Sequence, residues 1–348
     1  MTDLLISGNL FINQAVNLPE LKLRTTYDFA LGALSWEQRS IAALKAIKDL
    51  TANVYLLRFA SSDVEKLQKK DEQSKLFREK FDNLSVLHLK RSTEYSHNTP
   101  VIEQFLADKA VAARRPLRLL IDTTCMPKSY LLYLLAISFS RGYTSRIDFI
   151  YAEGEYSLDV SHSLLTEDNA ERKGIISEGE WISQQVPFLE ADLFPSKRDL
   201  IVTMGGEVGL SVPFIERYEP RRLHLILISE SLVQHPDKLP DSERHALTSI
   251  LSEPNVQRSD VSLTDVKGVI ASVNSFLSSS RSDVTTGVAI GSKPHALALG
   301  ISALSQSTME VVCRIPKRYI PLDVRSSGRF SVYEVEDRFE PTTYYHGK

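Results

Sequence analysis

Apolar residues in this chain gather in short runs, and between the runs lie polar segments with helical spacing. Residues 27–34 (YDFALGAL) form the first clear run and lead into a helical pattern near Ser35, whose hydroxyl suits an N-cap, with Glu37 and Gln38 in the first turn. The spacing then predicts a strand over 53–59 (NVYLLRF), a charged helix over 61–80, a short strand over 85–89 and a helix over 100–113. A strand over 117–124 (LRLLIDTT), a helix over 128–139 and a closing strand over 146–151 (RIDFIY) complete the series. Runs this apolar suit a parallel sheet covered on both faces.

From 157 to 195 the periodicity fades and polar and acidic residues become frequent, with a short helix expected over 178–185. The alternation then restarts. Strands are predicted over 199–204 (DLIVTM), 222–229 (RLHLILIS), 256–261, 284–290 and 309–315, with helices over 212–218, 241–252, 265–277 and 293–305. Residues 319–324 and 329–335 read as a C-terminal β-hairpin closed by Ser326, Ser327 and Gly328. The expected fold class is therefore α/β: two tandem Rossmann-like halves with mainly parallel sheets, over 1–156 and 199–348, joined by a linker or insert over 157–198.

The two halves also match in detail. Leu119-Leu120-Ile121-Asp122 with Pro127-Lys128, and Gly287-Val288-Ala289-Ile290 with Lys293-Pro294, are strands that end in a small polar turn carrying Lys and Pro before an apolar helix. The offset is about 165 residues, a domain-sized repeat. Shared ancestry accounts for this, and so does the general similarity of any two βαβ arrays.

Composition narrows the class. The 348 residues suffice for two cores, and 43% hydrophobic with 24% charged residues is ordinary globular composition. A net charge of −3 gives no global reason for nucleic-acid or membrane-surface binding. Cys125 and Cys313 cannot form a disulfide framework or a zinc motif, and the eight histidines show no HExxH pattern, so no metal is expected. No secretion signal is visible and the apolar run 130–139 is too short to span a bilayer, so a cytoplasmic location is expected.

In open parallel sheets ligands lie beyond the carboxyl ends of the strands, so the strand-to-helix turns hold the candidate chemistry. In 291–295 (GSKPH), Gly291 permits close backbone approach, Ser292 offers a hydroxyl and Lys293 a charge, which suits an anion; Ser292 as a helix cap beside a solvated lysine explains the same residues. Gly205 and Gly206, in 205–209 (GGEVG), suit a phosphate contact through backbone amides, or a plain turn, and lack the full dinucleotide spacing. Asp122, Thr123, Thr124 and Lys128 are candidate ligand contacts, while Cys125 beside a helix start is either an activated thiol or a small buried residue. Asp122, Glu153 and Glu155 are candidate acid/base groups, the last two equally a salt-bridged surface loop. Arg314, Lys317 and Arg318 make the corresponding region of the second half basic. The strand ends of both halves are expected to contribute to one asymmetric site.

With its tandem βα units, its Gly291-Ser292-Lys293 turn entering an apolar helix and its Thr124 turn at the matching place, the chain resembles CARF-related sensor domains. It is similar over most of its length to the SAVED domains of bacterial anti-phage signalling, which look like two such units fused. It departs from the pattern at Cys125-Met126-Pro127-Lys128, where a Gly-containing turn is expected, and no HEPN or nuclease motif is recognisable. The resemblance implies a nucleotide-type ligand such as a cyclic oligonucleotide, a role in nucleotide sensing and antiviral defence, and a protein partner that supplies the output activity. The residues alone equally admit an enzyme acting on a nucleotide or nucleic acid, or a non-catalytic scaffold subunit, and identify no cofactor.

Overall fold

The computed structural model describes residues 5–22, 25–47, 52–155, 177–191, 197–205, 208–280, 282–319 and 324–337. They belong to two compact units, one made of Met1–Glu153 with Arg325–Lys348 and the other of Gly154–Val324.

The first unit opens on an antiparallel pair, β1 (Leu5–Ser7) and β2 (Leu10–Leu18). Five strands follow, β3 (Phe29–Ala33), β4 (Asn53–Phe59), β5 (Leu84–Leu89), β6 (Leu117–Asp122) and β7 (Thr144–Gly154), which pair in parallel in the order β5-β4-β3-β6-β7. Every residue of β3 is buried, as a central strand covered on both faces requires. The crossovers carry α1 (Ala42–Ala46), α2 (Val64–Lys80), α3 (Tyr95–Ala113) and α4 (Lys128–Ser140). Asp63 caps α2 by accepting from the Lys66 amide at 3.2 Å.

The second unit contains β8 (Ser177–Gln185), β9 (Asp199–Met204), α5 (Val208–Tyr218), β10 (Leu223–Ile228), α6 (Asp241–Ser252), β11 (Val256–Val261), α7 (Val266–Ser278), β12 (Thr285–Ala289), α8 (Lys293–Ser305) and β13 (Met309–Tyr319). Its order is β11-β10-β9-β12-β13-β8, parallel except for β8. Counting from β3 and from β9, both sheets run third, second, first, fourth, fifth, so the fold is α/β with two mostly parallel Rossmann-like sheets and a repeated strand order.

The chain does end on two strands, β13 and then β14 (Ser326–Asp337), but they do not form a hairpin with each other. β14 enters the first sheet between β2 and β7, and β13 takes the antiparallel β8 as its neighbour. Most of the expected first arm, 320–323, lies outside the described residues. Each sheet thus receives the strand that follows the fifth strand of the other, and the contiguous half over 199–348 gives up its last segment to the first unit.

Three local expectations are corrected. The helix near Ser35 is a 3-10 turn, Gln38–Ile41, followed by the short α1; Glu37, not Ser35, holds the capping position, without a side-chain bond. Residues 178–185 belong to a strand, because β13 offers them a full antiparallel register from Val312↔Gln185 to Tyr319↔Ser177. The third helix starts at Tyr95, not Pro100, since buried Asn98 ties its first turn to the backbone of Lys90 and Arg91.

Candidate functional site

In both sheets the first and fourth strands are neighbours whose crossovers leave in opposite directions, which opens a crevice at their carboxyl ends. In the first unit this is the turn between β6 and α4. Asp122 is 2% exposed, and its Oδ1 accepts from the Thr124 amide at 2.9 Å. The Thr123 hydroxyl donates to the Ile150 carbonyl at 2.9 Å, and Thr124 Oγ1 accepts from the Ala152 amide at 2.9 Å. Asp122 thus braces the turn itself, while Thr123 and Thr124 join it to β7. Lys128 is the first residue of α4, after Pro127, and no side chain caps this helix among the described residues. The hydroxyl of Ser129 beside it is buried without a hydrogen-bond partner. Glu153 pairs with Arg329 of β14 at 2.9 Å, whereas Glu155 is exposed.

In the second unit the crevice lies between β9 and β12. The Gly291 amide donates to the Thr203 carbonyl at 2.6 Å, and a Cβ at Gly291 would lie 3.1 Å from Thr203 C and 3.2 Å from Met204 N. Glycine lets the two backbones approach this closely without the displacement that a Cβ would impose. Ser292 caps α8, accepting from the His295 amide at 3.1 Å while donating to the Leu263 carbonyl at 2.9 Å. The fully buried His295 donates from Nε2 to the Ser262 carbonyl at 2.8 Å, and Glu230 accepts from the Ser262 hydroxyl and the Leu263 amide. Lys293, the first residue of α8, is half-buried, and its ammonium has no partner among the described residues. Gly205 follows β9, where an added Cβ would lie 2.8 Å from the Ile228 side chain, and Gly206 lies outside the described residues. Arg314 donates to the Ser183 hydroxyl at 2.9 Å and stacks 4.8 Å from the Phe214 ring; the side chains of Lys317 and Arg318 are outside the description.

Each unit, taken by itself, places candidates at the carboxyl end of its fourth strand, and one member matches between them. Lys128 and Lys293 each open the helix that follows the fourth strand of their sheet.

Two groups of functional interest have no sequence motif. Lys70, on the helix expected to be charged, is 4% exposed and donates to the Phe59 carbonyl at 2.9 Å. Burial, and then the positive charges of Arg58 and Lys66, push its pKa down to about 8. His224, 4% exposed on β10, helps line a cavity of about 560 Å³ between β11 and α7. Its Nε2 lies 3.0 Å from the Ser259 hydroxyl and 3.3 Å from that of Ser272, and its Nδ1 is buried without a partner. Burial, with Arg222 nearby, lowers its pKa to about 4, so the ring is neutral near pH 7. The only sequence signal for either was a polar residue at a sheet-facing position. Among the described residues no three His, Cys, Asp or Glu side chains are grouped to hold a metal, and no helix is long and apolar enough to cross a membrane.

The chain matches no family model and no curated protein. Among solved structures it is similar to the cytoplasmic domain of a prokaryotic cation chloride cotransporter, at 9% identity over 83% of this chain and 96% of that one, with a TM-score of 0.24. It is also similar to an adenylation, ketoreductase and pseudo Asub multidomain structure of a keto acid-selecting NRPS module, at 13% identity, 80% of this chain and 28% of that one, with a TM-score of 0.20. Likenesses this slight carry no argument about what this chain does.

Proposed function

We propose that this chain is a nucleotide-binding sensor, with a phosphate-bearing ligand received at the carboxyl ends of the fourth strands. The observation that carries this reading is the repeated placement of a lysine at the first position of the helix after that strand, Lys128 on α4 and Lys293 on α8. A lysine there adds a point charge to the positive end of a helix dipole, a combination that favours phosphate. The close approach at Gly291 brings backbone amides to the same edge. The resemblance to CARF and SAVED domains supports a cyclic oligonucleotide as the ligand, a place in bacterial anti-phage signalling, and a protein partner for the output.

An acid/base enzyme is the weaker reading, because Asp122 is held by its own turn and Glu153 by Arg329. The test is isothermal titration of the full chain against cyclic oligonucleotides, mononucleotides and dinucleotides. Binding of one class, weakened about tenfold or more by Lys128→Ala or Lys293→Ala, is the expected result. Silence across the panel, or affinity indifferent to both substitutions, removes the reading.

A further inference from the structure

A second polar centre lies in the first unit, at the carboxyl ends of β3 and β4, away from the turn that carries Lys128. β3 leaves the sheet after pairing Ala33 with Leu57, while β4 continues to Phe59. The Phe59 carbonyl therefore loses the ladder partner that a longer β3 would have given, and the Lys70 ammonium takes that place at 2.9 Å. A lysine ammonium carries three donors, and this is the single bond Lys70 makes among the described residues.

The carboxylates nearby are already matched to other cations. Glu37 pairs with Arg39 at 2.7 Å, Asp71 with Arg58 at 2.7 Å, and Asp63 lies 3.7 Å from Lys66. The charges that act on Lys70 are Arg58 and Lys66, both positive. One helical turn before Lys70, the Lys66 ammonium stands 4.8 Å over the Trp36 ring, which brings the turn after β3 against α2. The indole Nε1 of Trp36 is itself buried with no acceptor. A buried cation without a counter-ion and a buried N–H without an acceptor are each costly, and both lack the same thing, a group with negative charge and several lone pairs.

We propose that the turn after β3 and the first half of α2 form a binding site for a phosphoryl group, with Lys70 as its counter-ion and the Trp36 indole N–H as a second donor. Free phosphate and the 5′-phosphate of a mononucleotide both present this chemistry. The site does not depend on Lys128 or Lys293.

The test uses the full chain carrying Lys128→Ala and Lys293→Ala, so that the reading above neither helps nor harms it. Trp181→Phe leaves Trp36 as the single tryptophan and so as a local fluorescence probe. Inorganic phosphate and adenosine 5′-monophosphate are titrated separately against sodium chloride at equal ionic strength. Saturable change in Trp36 emission with phosphate is expected, weakened roughly tenfold to a hundredfold by Lys70→Met, which keeps the stem and removes the charge. Tighter binding of the mononucleotide would identify a nucleotide as the source of the phosphoryl group, and equal binding would identify free phosphate. Trp36→Phe, followed by calorimetry in the chain that keeps Trp181, removes only the N–H donor and lowers affinity by a smaller factor; it serves if Lys70→Met fails to fold. No saturable response to either compound, or affinity unchanged by both substitutions, overturns the proposal.

Discussion

Mild acid destabilises the second unit through His224. The ring is 4% exposed and its pKa falls from 6.5 to about 4 on folding, chiefly because burial penalises the imidazolium. The folded value lies below the unfolded one, so on acidification the unfolded chain takes the proton first. The stability contributed by the neutral ring is whole above pH 6.5 and is lost as the pH falls toward 4. Linkage between these two values gives a loss of about 2 kcal/mol on going from about pH 7.5 to about pH 5, and about 3 kcal/mol at the acid limit. Other groups titrate in the same range, so the measurement is a difference of differences. Urea unfolding is followed at both pH values for the chain with Trp36→Phe, in which Trp181 of β8 alone reports the second unit, with and without His224→Gln. Glutamine still bonds to the Ser259 hydroxyl but takes no proton. The two chains should differ by about 2 kcal/mol in their response to pH. Parallel responses would refute the claim that a buried neutral histidine stands at this position.

Three further outcomes follow from the same geometry. Gly291→Ala places a methyl 3.1 Å from the Thr203 carbonyl carbon, a backbone contact that cannot swing aside, and should cost about 1–3 kcal/mol in urea unfolding; an unchanged midpoint would contradict the close approach. Asn98→Ala removes bonds to Lys90, Arg91 and the Tyr130 hydroxyl, and should lower the stability of the first unit by about 2–3 kcal/mol as read from Trp36 emission. Ending the chain after Val324 deletes β14, takes Glu334 from Arg146 and opens the edges of β2 and β7; the Trp36 transition should shift to lower urea while that of Trp181 stays in place.

Most strands of both parallel cores were legible because they are nearly unbroken apolar runs; the edge strand β11 (VQRSDV) is polar between its two valines. Residues 53–59, 256–261 and the helix 293–305 were placed to the residue. What escaped was antiparallel. β2 alternates buried Leu10 and Ile12 with more exposed neighbours, a weaker pattern than a buried run, and β8 reads as polar until β13 gives it a register. The turns showed the same division. Ser292 was legible because capping chemistry is local, and Gly291 as a place of close backbone approach, although the backbone that approaches it is that of Thr203. Asp122 and Thr124 looked free to meet a ligand, since nothing local announces that Ala152, 28 positions away, takes the Thr124 hydroxyl. Lys70 and His224 were illegible for a related reason: what buries and bonds them, the Phe59 carbonyl for one and the Ser259 and Ser272 hydroxyls for the other, lies on other elements of the fold.

The strand exchange bears on how the repeat is to be understood. β8 follows β7 and β14 follows β13, and each stands beside the fifth strand of the sheet it did not come from. They are equivalent by position along the chain as well as by place in the sheet, so the arrangement that recurs is five parallel strands plus one strand from the other half. A return within its own half would have made the hairpin that the sequence suggests at the C-terminus. Exchange leaves the strand order and the pairing unchanged, so it requires no difference between the two arrangements in the strand contacts made. It removes instead the independence of the halves, because neither half-sequence contains all the strands of its own sheet. The two fourth-strand helices differ at their starts: Ser292 caps α8, while α4 starts at Lys128 after Pro127, without a side-chain cap. An anion at α4 would meet a less satisfied helix end than one at α8, and the two lysines, though matched in position, are unequal in what surrounds them.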